Sequence, residues 1–169
     1  DLSDASDAAE PTDAQDPTDA ASDPSDVVAP CVAGEAVSKV YIEVGRPEYA
    51  PWQGILKTYL DGLVDVEEIA SDAQPESGSV VVSLQSLEEA AAPETMVLGM
   101  STRNGCRVYE VKGSARVADE AVNIGVGFAT FEFLRRLGFA FWHPFEPYAP
   151  ATVEWPESLT LETSPRWPV

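Results

Sequence analysis

The sequence predicts an α/β fold: a small mixed β-sheet packed with two main helices as an α/β sandwich, preceded by a disordered acidic tail. Three observations carry this expectation. Strand-like and helix-like periodicities interleave from Gly34 onward. Two stretches, opening at Trp52 and near Ile124, space their apolar residues at helical intervals. Composition also changes abruptly: residues 1–30 hold eight Asp, one Glu and no Lys or Arg, and the first basic residue is Lys39.

From Asp1 to Asp26 the chain is built almost wholly of Asp, Ser, Ala, Thr and Pro, with Leu2 its only large apolar residue. Ordering such a segment costs roughly 1–2 kcal/mol per residue of backbone entropy, and there is almost no apolar surface to offset it. Like charges and Pro11, Pro17 and Pro24 favour extension. Asp recurs three apart at 4 and 7, at 13, 16 and 19, and at 23 and 26. A loop-type calcium site needs a Gly at the turn and a bidentate Glu after alternating ligands. The tail has no Gly, so residues 1–33 read as a tether.

The body follows. Ala36 to Val44 alternates, with Val40, Ile42 and Val44 on one face, as a half-buried strand does. Past Pro47 and Pro51, Trp52, Ile55, Leu56, Tyr59, Leu60 and Leu63 form one helical stripe. A short strand is expected at Val66–Ile69, and the continuous β-branched run Ser79–Leu84 reads as a buried strand. Leu84–Ala92 predicts a brief helix stopped by Pro93, then Thr95–Met100 and Cys106–Val111 predict strands around an Asn104-Gly105 turn. The second helix spans Ile124 to Leu137, with Glu132, Arg135 and Arg136 on its polar side. Phe128, Phe131, Leu134 and Leu137, flanked by Phe133, are its expected apolar cover, and Gly138 is the stop. Strands are expected at Phe139–Trp142 and Ser158–Glu162. The division this suggests is a tether over 1–33, an α/β domain over 34–150, and a linker with a strand over 151–169.

Charge narrows the partners. Of the formal net charge of −19, the tail accounts for nine units and the rest of the chain for −10. Nucleic-acid binding relies on Lys and Arg neutralising phosphates, and the ten basic residues here form no run longer than Arg135-Arg136. Anionic lipid would repel the chain for the same reason. Neutral and cationic ligands remain open. No start Met, basic leader or apolar leader core precedes the tail, so any signal peptide is expected to be removed or to lie outside this sequence. The tether resembles the segment after the lipidated cysteine of bacterial surface lipoproteins. That resemblance implies an exported protein, at the cell surface, periplasmic or secreted, touching a membrane only through a lipid anchor.

No catalytic constellation, cofactor motif or metal set emerges. Cys31 and Cys106 belong to no CxxC, and His143 completes no ligand pattern with them. A disulfide between them and a pair of free thiols are both open on sequence. Gly125-x-Gly127 before a helix lacks the third Gly and the later acidic residue of a dinucleotide loop, so close packing is the simpler reading. His143 reads as a structural residue at a strand end. Trp142 and Trp155 suit either sugar stacking or a core or domain interface.

Residues 125–144, Gly-Val-Gly-Phe-Ala-Thr-Phe-Glu-Phe-Leu-Arg-Arg-Leu-Gly-Phe-Ala-Phe-Trp-His-Pro, resemble the signature of the N-terminal α/β domain of alpha-glucuronidases and beta-N-acetylhexosaminidases. Gly125, Phe128, Phe131, Phe133, Leu134, Leu137, Gly138, Phe141 and Pro144 stand at matching positions. Ser158–Trp167 is similar to the family's passage into its barrel. Arg135 replaces an acidic residue and Ala140 an Arg, so any contact those two positions make in the family is not carried over. The resemblance implies a non-catalytic domain supporting a (β/α)8 barrel that carries the active-site carboxylates of a glycoside hydrolase. It implies that Trp142, His143, Trp155 and Trp167 face that barrel or a carbohydrate.

Overall fold

The computed structural model describes residues 28–43, 45–87, 94–115, 122–141 and 148–163. Among them, β1 (Lys39–Glu43), α1 (Ala50–Leu60), β2 (Asp65–Ile69) and β3 (Ser79–Ser86) come first. Next are β4 (Met96–Arg103), β5 (Cys106–Gly113), α2 (Ile124–Arg136) and β6 (Leu161–Thr163). The strands form one mixed sheet in the order β2-β1-β3-β5-β4-β6. β2, β1, β3 and β5 run parallel, while β4 is antiparallel to both β5 and β6. The architecture is the small α/β domain predicted, and the expected disordered tail falls almost entirely outside the described residues.

Alternation along the strands divides the sheet into two unlike faces. Val40, Ile42, Val80, Val82, Leu84, Leu98, Tyr109 and Val111 are buried in one large core with both helices. The opposite, open face buries only a small cluster of Ile69, Val81 and Val108, packed with Tyr41 and Ala73. Charged side chains coat much of the remainder. Lys39, for example, lies within 4 Å of Asp65, Glu67 and Glu76.

α1 buries Leu56 and Leu60 completely, with Trp52, Ile55, Tyr59 and Leu63 packed at the edge of the core, as the stripe requires. A single 3-10 turn, Pro47–Tyr49, leads into it. In α2 the buried ridge is Val126, Ala129, Thr130, Phe133 and Leu134. Phe133 lies at the centre of the core, and Phe128, expected to be covered, is 48% exposed. The correction follows from geometry: 126, 129–130, 133–134 and 137 advance by helical turns along one line, and 128 lies off it.

Asn123 starts α2 and ties it to its neighbours. Its side-chain oxygen accepts from the Val126 N–H at 3.1 Å, an N-cap. Its amide nitrogen donates to Ser86 Oγ at 3.0 Å, and its carbonyl accepts from the Trp52 indole at 2.8 Å. At the other end Gly138 has φ +97°, the left-handed stop the sequence suggested.

Two further expectations change. The predicted helix over Leu84–Ala92 gives way at its start to strand, since β3 continues to Ser86; residues 88–93 lie outside the described set. Phe139–Trp142 is no strand where it is described. Ala140 alone makes a bridge, to Tyr148, while Phe139 and Phe141 turn their rings edge-on to Tyr59. Aromatic packing, not a ladder, sets that segment. Segments on either side of residues 34–150 also touch the sheet layer. Cys31 is fastened to the sheet, and over 151–163 Leu159 is buried and β6 pairs with β4.

Candidate functional site

One cleft lies where the two ends of the described body meet, near the amino ends of β1 and β3. One wall is the coil Cys31–Glu35. Its first residue forms a disulfide with Cys106 at the start of β5. The Cys31 N–H also donates to the carbonyl of Asn104 at 3.0 Å. Asn104-Gly105 is the two-residue turn between β4 and β5, with φ of +50° and +76°, the left-handed pair such hairpins use. The far end of the wall is held by Glu35. Its carboxylate accepts from Ser77 Oγ at 2.6 Å and from the Gly78 N–H at 3.1 Å. The Ser77 bond first, then the Val32 N–H at 3.4 Å and, against an opposing effect of burial, the Gly78 N–H hold the Glu35 carboxyl below the usual carboxylate range, so it remains charged.

The opposite wall is Trp155–Glu157, also coil and also fastened. Arg107 Nη1 donates to the carbonyls of Trp155 and Pro156 at 3.2 and 3.3 Å. The Tyr109 hydroxyl donates to the Pro156 carbonyl at 2.6 Å. Burial pushes the Tyr109 phenol up to about 12, against an opposing influence from Arg107, so it stays protonated and remains a donor at neutral pH. The Tyr109 and Trp155 rings pack with centroids 5.7 Å apart. Between the walls, Val37, Met100 and Thr102 line a half-open cleft of ≈ 520 Å³, a size that suits small ligands.

A second, more open crevice of ≈ 420 Å³ lies at the carboxyl ends of β1 and β3, bordered by Glu43, Arg46, Tyr49, Ser71 and Gln85. This is the switch point of the sheet. The chain leaves β1 towards β2 on one side, and leaves β3 towards β4 on the other. Glu43 is already paired with Arg103, and Arg46 stands 3.7 Å from Glu48.

A third feature is the outer side of α2. Phe128 there is 48% exposed; Tyr148, which bridges Ala140 beyond the helix, is 59% exposed. One turn beyond Phe128, Phe131 meets Phe141 edge-on at 5.2 Å, and Phe141 meets Tyr59 at 5.4 Å.

Of the residues singled out from sequence, Trp155 is partly buried, packs on the core and lines the large cleft. Trp142, His143 and Trp167 lie outside the described residues. Cys31 and Cys106 are joined. Gly125-x-Gly127 is a packing motif. A Cβ on Gly125 would collide with the backbone of Ser114, and one on Gly127 would sit 2.6 Å from the Trp52 ring. Sequence reasoning missed Arg107, Met100 and Glu157. Arg107 had a readable signal, a charge standing in phase with inward-facing Tyr109 and Val111. Among the described residues no group of three His, Cys, Asp or Glu could hold a metal ion, and no helix is long and apolar enough to cross a membrane.

Comparison with protein-family models and with curated proteins returns no match for the chain.

Proposed function

We propose that this chain is a non-catalytic α/β accessory domain of an exported glycoside hydrolase, supporting a (β/α)8 barrel that acts on polysaccharide or glycan. The observation that carries the reading is Phe128. It is a large aromatic, 48% exposed in the middle of α2, inside the segment that resembles the alpha-glucuronidase and hexosaminidase signature. The open sheet face, by contrast, carries charged side chains such as Lys39 and its carboxylate partners. An exposed aromatic on the helix layer suits contact with a neighbouring domain. The Cys31–Cys106 disulfide supports export, since disulfides persist in oxidising compartments.

The parent reading frame tests the proposal. It should continue past Val169 into a barrel. In that full-length protein, Phe128→Ser should lower the unfolding temperature while leaving this chain alone unchanged or slightly more soluble. A frame that stops without a barrel, or a Phe128→Ser variant with unaltered full-length stability, sinks it.

A second reading, a stand-alone surface lipoprotein module that binds a glycan or protein partner, is favoured by one observation: both walls of the cleft come from this chain.

A further inference from the structure

We propose that the cleft between Cys31–Glu35 and Trp155–Glu157 binds a small organic cation, an ammonium group carried on an apolar or polyhydroxylated body. The inference needs no barrel and stands whether or not the accessory-domain reading holds.

Construction comes first. Both walls are coil, and both are tied to the sheet by bonds that fix their separation. The first wall has the disulfide, the Cys31 N–H bond to Asn104 and the Glu35 bonds to Ser77 and Gly78. The second has the Arg107 and Tyr109 bonds to Trp155 and Pro156. A cleft held this way is present before the ligand arrives, which lowers the ordering cost of binding.

Chemistry follows from the lining. Trp155 brings the most electron-rich aromatic face available to a protein, the best partner for a cation over a ring. Val37 and Met100 add an apolar, polarisable floor. Glu35 and Glu157 supply two carboxylates, and Glu35 is held in its charged form. Arg107, the single cationic side chain among the described residues of the lining, donates through Nη1 to the carbonyls of the cleft's own wall. The cleft is thus net negative beside an indole. The chain's formal charge of −19 adds a field that draws cations and repels anions. An anion such as a phosphate or a uronate meets the wrong sign, and a purely apolar ligand leaves the carboxylates unused.

Three probes separate the sources of such a cation: choline for a lipid headgroup, glucosamine for an amino sugar, and Nα-acetyl-lysine amide for a protein side chain. Each is titrated into the full 169-residue chain by calorimetry and by NMR of the Trp indole N–H signals. The proposal expects saturable binding of at least one, weakened by salt. It expects the neutral isostere of the bound probe (3,3-dimethylbutanol for choline, glucose for glucosamine) to bind about tenfold more weakly. Trp155→Ala should abolish binding, but Trp155 also packs on Tyr109, so Glu157→Gln provides the independent check. Glu157 is exposed, and its replacement should weaken the cation several-fold while leaving the unfolding temperature and the isostere's affinity unchanged. Reduction of the disulfide should free the first wall and weaken binding as well. The proposal is overturned if none of the three cations saturates, or if the isostere and Glu157→Gln leave affinity where it was.

Discussion

Arg103, on β4, and Glu43, at the end of β1, are joined across the open face of the sheet, with Nη2 donating to Oε1 at 2.9 Å over the two strands between them. Twist lifts opposite corners of a sheet towards each other, and the register places Val81 and Val108 beneath the line that joins them. Those two valines are buried although neither helix covers that face. The pair is therefore a strap over the small cluster as well as an ion pair.

Its rupture should be costly. The Glu43 side chain is only 10% exposed and that of Arg103 23%, and Arg103 Nη1 is enclosed with no hydrogen-bond partner among the described residues. Arg103→Ala leaves a nearly buried carboxylate alone and should lower unfolding free energy by about 3 kcal/mol. The double replacement Arg103→Met with Glu43→Leu should recover most of that loss. Urea denaturation of the singles and the double measures it, and additive effects in the cycle would show that the two groups do not couple.

Contact between β5 and α2 depends on two glycines. A Cβ on Gly113 would collide with the backbone of Gly125, and one on Gly125 with the backbone of Ser114. Backbone cannot swing aside as a side chain does, so Gly125→Ala should force the helix off the sheet and cost on the order of 2 kcal/mol. Gly127→Ala meets the Trp52 ring instead, at 2.6 Å. Trp52 can yield only by straining its bond to the Asn123 carbonyl, so a smaller loss is expected. Thermal unfolding of the two variants should rank them in that order; the reverse order would contradict the backbone argument.

Much of this was legible in the sequence, and the failures have physical causes. Six strands and both helices were legible, the helices and β1 through one regular buried face and β3 through a continuous run buried on both faces. Phe128 misled because hydrophobicity along α2 does not distinguish a residue turned to the core from one left outside; only the line through Val126, Phe133 and Leu137 does. The segment after Gly138 looked like a strand because Phe139 and Phe141 alternate with Ala140, yet those rings serve an aromatic cluster with Tyr59. The cleft was the least legible part. It is assembled from residues 31–37, 100–107 and 155–157, and no spacing rule links positions so far apart. Trp155 and Cys31 were the members that sequence picked out, and nothing in the sequence joined them.

Removal of the disulfide should be felt as a loss of stability. Cys31 and Cys106 are 75 residues apart, and closing a loop of that length restricts the unfolded chain by an amount worth roughly 4 kcal/mol in the entropy model. The double replacement Cys31→Ser with Cys106→Ser should unfold at markedly lower denaturant concentration, and adding reductant to the wild-type protein should move it to the same place. Hydrogen exchange should localise extra opening to residues 31–35, since the Glu35 bonds are the main ties left to that wall. A midpoint indifferent to reductant would show that the bridge contributes nothing to the folded unit.

Acid should act on α2 through Glu132. Its carboxylate accepts from Arg135 Nε and Nη2 at 2.7 and 2.8 Å and from Arg136 Nε at 2.9 Å. The Arg135 bond is the main reason the Glu132 carboxyl lies below its ordinary value, with burial opposing and Arg136 assisting. A folded value below the unfolded one means that the unfolded chain takes up the proton first. The stabilisation is therefore fully present above the unfolded value, near pH 4.3, and is lost as pH falls through the folded one. Both guanidinium groups are substantially exposed, which limits the contribution to about 0.5 kcal/mol. Wild type and Glu132→Gln should differ by that amount at pH 7, by less in high salt, and converge below about pH 4. Denaturation curves for the pair at pH 7, 5 and 3.5 decide it: a difference that persists unchanged at the lowest pH would mean that the Gln variant loses packing, and that the charge on Glu132 is not what stabilises the helix end.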